Sequence, residues 1–198
     1  MLIDLHNHTD LSSGSNLALE DYVPYAKAYG ARVAITDHDI LNSEANEYRD
    51  FFFCGFEAIT DYGHFLVFGA SPELMHIQNI YLFIETVHAE GGIVIAAHPF
   101  RNTGVFGMLD TESAEKIIDL VDAVEVYNGR SFFDEWEKAI EIAKKFDKPM
   151  TGGSDALTEF DIFRVATEFP EDINTLEELI EQIRTGQCKP LLLSDDIG

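Results

Sequence analysis

Short apolar runs alternate with helical patterns along this chain. Strand-length runs occupy residues 2–6, 32–36, 51–57, 65–69, 93–97, 123–127, 149–153 and 164–167. Between them apolar residues recur at helical spacing: Leu19, Tyr22, Val23 and Ala26 ahead of Gly30; Ile77, Ile80, Ile84 and Val87 ahead of Gly91; Ala114, Ile117, Ile118 and Val121; Phe133, Trp136, Ile140 and Ala143. A last pattern, Leu176, Leu179, Ile180 and Ile183, opens on the capping-box pair Thr175 and Glu178 and closes at Gly186. Pro24 inside the first pattern predicts either a late start or a kink. Strand–helix alternation of this kind predicts parallel βα units, in an open doubly wound sheet or a closed barrel.

In such architectures the site lies at the carboxyl ends of the strands. The polar residues there are unusual. The first run ends in His6-Asn-His8, and positions two apart on a strand face the same side, so both imidazoles can reach one ion. Asp37, His38 and Asp39 close the second run, and Glu57 follows five apolar residues at the end of the third. A glutamate so placed is normally paired or metal-bound, because burying it alone is costly. His64, His98 in "GGIVIAAHPF" and Asp155 in "PMTGGSDAL" complete the series.

Taken singly, each histidine reads as structural or solvated, and Glu57 or Asp155 as a loop carboxylate or helix cap. Together, five imidazoles and two carboxylates at successive strand ends predict a metal centre. His76 and His88 lie in or beside the second helical pattern and read as solvated. Ser154 in "GGSDA" is a poor nucleophile elbow, since Ala156 takes the place of the required glycine.

At 198 residues the chain fits one domain, residues 1–198, with no repeat or linker to divide it. Its 13 basic and 36 acidic residues give a net charge of −23, which disfavours nucleic-acid duplexes and anionic lipid. A small anionic substrate stays compatible, because a bound divalent cation inverts the local field. Cys54 and Cys188 lie far apart and read as reduced thiols; with no apolar span or signal-peptide pattern, a soluble cytoplasmic protein is expected, with no membrane partner.

With these residues in place, the chain resembles the PHP family, named for polymerase and histidinol phosphatase, most closely its short stand-alone metal-dependent phosphoesterases. The likeness runs from Asp4 to about Phe169 through "DLHNHT", "ITDHD", "GFE", His64, "AAHP", "VEVYN" and "GGSDA", in family order. It implies a distorted (β/α)7 barrel, TIM-like, binding up to three divalent ions: His6, His8, Glu57 and Asp155 on one, Glu57 bridging to a second held by His64 and His98, and His38 on a third. Ser13 and Leu157 stand where the family carries further ligands of that third ion, so two ions are the expectation, with Zn, Mn or Fe compatible with the donors.

The implied activity is hydrolysis of a small phosphate ester by a metal-activated water. His38, if free of metal, is the candidate catalytic acid; Arg101, Arg130 and Asn128 are candidate substrate-binding groups, and Asp37 and Glu125 candidate supports behind the ligands. A degenerate module that holds metal or ligand without turnover is the alternative. An amidohydrolase-like centre fits the histidines but lacks the bridging lysine expected of it.

Overall fold

The computed structural model describes residues 1–193, so the last five positions of the 1–198 unit lie outside the described residues. In chain order the elements are β1 (Leu2–Asp4), α1 (Leu19–Tyr29), β2 (Arg32–Ile35), β3 (Phe52–Cys54), β4 (Phe56–Thr60), β5 (Gly63–Phe68), α2 (Ile80–Ala89), β6 (Ile93–Ala96), α3 (Val105–Met108), α4 (Thr111–Ile118), β7 (Ala123–Asn128), α5 (Phe133–Lys145), β8 (Met150–Gly153), β9 (Val165–Glu168), α6 (Leu176–Arg184) and β10 (Lys189–Leu192). α1 begins at Leu19 and runs through Pro24, which forfeits one backbone bond, and it stops at Gly30 in the left-handed conformation. The α6 cap is as the pattern predicts: Thr175 Oγ1 accepts the Glu178 N–H at 3.2 Å.

The strands form two sheets, ordered β10-β9-β1-β2-β3 and β4-β5-β6-β7-β8. The sequence pattern predicts parallel pairing; β1-β2, β2-β3, β6-β7 and β7-β8 are parallel, whereas β4-β5, β5-β6, β1-β9 and β9-β10 are antiparallel. A closed seven-stranded barrel is therefore not what the ladders form. The run at 51–57 is the point of departure. It breaks at Gly55, where an added Cβ would lie 2.6 Å from the Phe68 ring and from the Val67 carbonyl. The chain uses this close approach to pass from one sheet to the other, giving β3 and β4 instead of one strand.

Two isolated parallel bridges, Asn7 to Ala156 and His38 to Glu57, join the sheets at both seams. Both lie beside the predicted metal ligands. An inner apolar cluster, including Ile3, Leu5, Leu66, Phe68 and Ile95, fills the space between the sheets and is covered by Leu179, Ile180 and Ile183 of α6. A second packs α2, α4 and α5 on the outer face of β4 to β8, and a third packs α1 on β2. Among the described residues, no helix is long and apolar enough to cross a membrane.

Candidate metal centre

The carboxyl ends of β1, β2, β6 and β8 lead directly into His6 and His8, Asp37 and His38, His98, and Asp155, while Glu57 and His64 face one another from the β4-β5 hairpin. All seven predicted ligands converge on one point. Glu57 is its centre: Oε2 lies 3.3 Å from His6 Nε2, 3.3 Å from His8 Nε2 and 3.1 Å from His38 Nε2, and Oε1 lies 2.9 Å from His64 Nδ1 and 3.0 Å from His98 Nε2. Asp155 Oδ1 is 3.3 Å from His8 Nε2 and 3.8 Å from His6 Nε2. Three sets of donors are close enough to share an ion: His6, Glu57 and His98; His6, His8 and Asp155; and His8, His38 and Glu57.

His38 thus stands with His8 and Glu57 in the same cluster, and its side chain, 29% exposed, opens most to solvent of the five imidazoles around Glu57. Two of the predicted ligands sit in left-handed backbone. His98 has φ +28° and Asp155 φ +52°. Left-handed backbone at non-glycine residues costs about 1–3 kcal/mol each and persists where surrounding bonds over-determine it. Here the His98 N–H donates to Glu125 Oε2 at 2.8 Å, and the Asp155 N–H to the His6 carbonyl at 2.7 Å.

The hydrogen bonds around the cluster select which imidazole nitrogen faces inward. His6 Nδ1 is 2.9 Å from Glu125 Oε1, so that nitrogen carries the proton and Nε2 presents its lone pair. His8 Nδ1 lies 3.2 Å from Ser12 Oγ, which accepts the His38 N–H at 3.0 Å and donates its own proton to Asp37 Oδ1 at 2.5 Å. The hydroxyl proton is committed to Asp37, so His8 donates to Ser12 and its Nε2 also faces inward. The two Nε2 atoms meet at 3.2 Å. Facing lone pairs at that distance require a cation between them or a proton on one.

The electrostatics point the same way. Among the described residues the buried acids are Asp4, Asp37, Glu57, Glu125 and Asp155, and all surround this centre or support it. Arg101, whose Nη1 donates to Asp155 Oδ2, is the one guanidinium paired with them. Burial opposes charge on His6, yet the fields of Glu125, Asp155 and Glu57 overcome it and hold its pKa well above the ordinary value. Those carboxylates would favour any cation at the same point. Glu57 and Asp155 stay ionised despite burial: His6 is the leading charge that holds each below the carboxylate range, and a hydrogen bond from His38 adds to it at Glu57. His98 turns Nε2 toward Glu57 Oε1, while its Nδ1 is buried without a hydrogen-bond partner. The donor set fits divalent ions that accept mixed imidazole and carboxylate ligands.

The remaining predicted residues surround this core. Glu125 holds His6 and His98 and accepts Asn128 Nδ2 at 3.0 Å, and Asn128 Nδ2 reaches Asp155 Oδ2 at 3.3 Å. Asp37, fully buried, ties down the loop after β1 through the Thr9 N–H at 2.7 Å, the Thr9 hydroxyl at 2.6 Å and Ser12. Arg101 is engaged by Asp155, and Arg130 Nη1 lies 3.7 Å from Asp161 Oδ2. Ser154 is structural, donating to the Val165 carbonyl at 3.1 Å. Sequence reasoning missed Ser12, whose neighbour Ser13 carried the motif argument, and Asp4, a carboxyl that burial raises to about 7. The charged residue inside the apolar start of β1 was a signal for the latter.

Fold and site together define an α/β protein whose buried His, Glu and Asp clusters are suited to holding metal. A family model described as PHP-associated matches residues 134–188. An uncharacterized protein of Methanocaldococcus jannaschii is 27% identical over 177 residues, covering 86% of this chain and 71% of its own length. The structure of PsfC from Pseudomonas syringae superposes with a TM-score of 0.72 at 18% identity, covering 98% of this chain and 91% of that one. A Bifidobacterium adolescentis structure provisionally named a metal-dependent phosphoesterase gives a TM-score of 0.60 at 20% identity, covering 79% and 88% respectively. The chain is thus similar to a PHP-associated family model over its last third and shares the α/β fold of these structures.

Proposed function

We propose that this protein hydrolyses a small phosphate ester at a centre of two divalent ions drawn from Zn, Mn and Fe. The observation that carries the reading is the Glu57 carboxylate enclosed by five imidazoles, two of which meet through their Nε2 atoms at 3.2 Å. In this reading His6, His8, Glu57 and Asp155 hold one ion, and Glu57, His64 and His98 hold the second. When bound, such ions supply Lewis acidity toward a phosphoryl oxygen and toward the attacking water.

The chain's own groups supply the rest. Glu57, with one oxygen toward each half of the cluster, fixes the spacing of the two positions. Glu125 and Ser12 keep the lone pairs of His6 and His8 aimed inward. His38, the most open imidazole, is placed to give a proton to the leaving alkoxide. Arg101 orients Asp155 through its outer oxygen, leaving Oδ1 free for a ligand role, and its partly exposed guanidinium also borders the place of an anionic substrate.

Leu157 favours the catalytically silent alternative. It packs beside Gly14, an apolar side chain where a third ion would need a donor. A panel of phosphomonoesters, cyclic phosphates and diesters with added Mn²⁺, Fe²⁺ or Zn²⁺ separates the two readings. Metal-dependent turnover that disappears in Glu57→Gln and His8→Ala supports the enzyme. Metal binding without turnover of any of these esters supports the silent module.

A further inference from the structure

A second site lies at the opposite end of the strands. Arg32 opens β2, about 20 Å by strand rise from the His38 end, and is buried. Its guanidinium donates to the carbonyls of Ile173, Arg49 and Phe52 and lies 3.7 Å above the Phe53 ring. These contacts satisfy three N–H groups but not the charge. Asp50 is the acidic group whose field reaches it, and among the described residues no carboxylate forms an ion pair with Arg32. A buried guanidinium without a counter-ion is unusual, and more so in a chain with 36 acidic and 13 basic residues.

Arg32 does not stand alone. It borders a cavity of about 300 Å³ that Arg49 also lines. Arg49 is exposed, uses its Nε on the Asn46 carbonyl, and has its remaining N–H donors unpaired among the described residues. Asn46 and Asn174 bring side-chain amides to the same space, and Phe52 and Leu176 give it an apolar wall, while the N–H groups of Asn174 and Thr175 at the start of α6 are taken by the Glu178 carboxylate. Among the described residues, Glu177 is its single acidic lining residue.

We infer that this cavity binds a small organic anion, its carboxylate or phosphonate-like head on Arg49 above the buried charge of Arg32 and its apolar body against Phe52 and Leu176. The volume suits a single-ring ligand, and its anionic head supplies the countercharge that the fold leaves out for Arg32. The site is separate from the metal centre and independent of the phosphoesterase reading.

The test uses metal-loaded protein and three probes: benzoate, phenylphosphonate and inorganic phosphate, followed by amide chemical shifts and calorimetry. Saturable shifts at residues 49–54 and 174–177, with affinity falling at least about tenfold in Arg49→Ala and unchanged in His8→Ala, support the inference. Tighter binding of the two ring-bearing probes than of inorganic phosphate supports the apolar wall. Arg49 is exposed, so its replacement leaves the fold intact; Arg49→Lys should recover part of the affinity. Shifts that never saturate, binding equal in Arg49→Ala, or binding lost in His8→Ala would overturn it.

Discussion

Glu125→Gln is the substitution whose effect follows most directly from the geometry. Glu125 Oε2 accepts two donors, the His98 N–H at 2.8 Å and Asn128 Nδ2 at 3.0 Å, while Oε1 accepts one, His6 Nδ1 at 2.9 Å. A glutamine has one acceptor oxygen, and it goes where two donors meet. Its NH₂ then faces His6, whose Nδ1 must become the acceptor. The imidazole proton moves to Nε2, the atom that faces Glu57 and His8.

The variant also loses the largest of the three carboxylate fields acting on His6. Removing such a support typically costs about 10–100-fold in metal affinity, or about 1.4–2.7 kcal/mol. Competition against a chromophoric chelator measures the affinity, and imidazole ¹⁵N shifts report the tautomer. We expect weaker binding of one ion, His6 carrying its proton on Nε2, and activity recovered at high metal concentration. A variant that folds, binds metal as tightly as the parent and keeps the proton on Nδ1 would refute the reasoning.

Three further outcomes follow from the same structure. Asp37→Ala strands the Thr9 N–H, the Thr9 hydroxyl and the Ser12 hydroxyl, and at about 1–3 kcal/mol per buried orphan urea unfolding should show a loss of at least about 3 kcal/mol; a loss below about 1 kcal/mol would contradict this account of the loop. In Gly153→Ala the new Cβ would fall 2.4 Å from His6 Cβ, so β8 must shift from His6, destabilising the fold by about 1–3 kcal/mol and weakening metal binding; a stable variant with full metal content would contradict it. Burial pushes the thiols of Cys54 and Cys188 up to about 11, which lowers the reactive thiolate at neutral pH. Alkylation by iodoacetamide should therefore be about 100-fold slower at pH 8 than for an exposed cysteine and keep rising past pH 10; a rate that levels off near pH 9 would contradict the burial.

Much of the site was legible because its ligands sit where apolar runs stop. His6 and His8 share a face by strand periodicity, and His38, His98 and Asp155 each follow a strand end, so spacing alone suggested convergence. Helices were equally readable from their periodicity and caps, as α6 shows. The two-sheet arrangement was not. Whether the run at 51–57 continues or breaks depends on Phe68 and Val67 pressing against Gly55, a contact with no trace in local pattern.

Asp37 and Glu125 were expected as supports, but the partners they hold, and Ser12 altogether, were hidden for the same reason. Ser12 earns its place through Asp37, 25 residues away, and Glu125 through His6, 119 residues away. Arg101 reads in sequence as a free cation beside a strand end, and only the fold reveals that Asp155 already holds it.

The central claim is that Glu57 and its imidazoles enclose metal ions, and counting those ions tests it most directly. Elemental analysis of the purified protein, with anomalous scattering from its crystals, should give two divalent ions per chain, both within coordinating distance of Glu57, falling in Glu57→Gln. Protein purified without chelators that contains no metal, takes up none from Mn²⁺, Fe²⁺ or Zn²⁺, and shows no anomalous peak beside Glu57 would contradict the account.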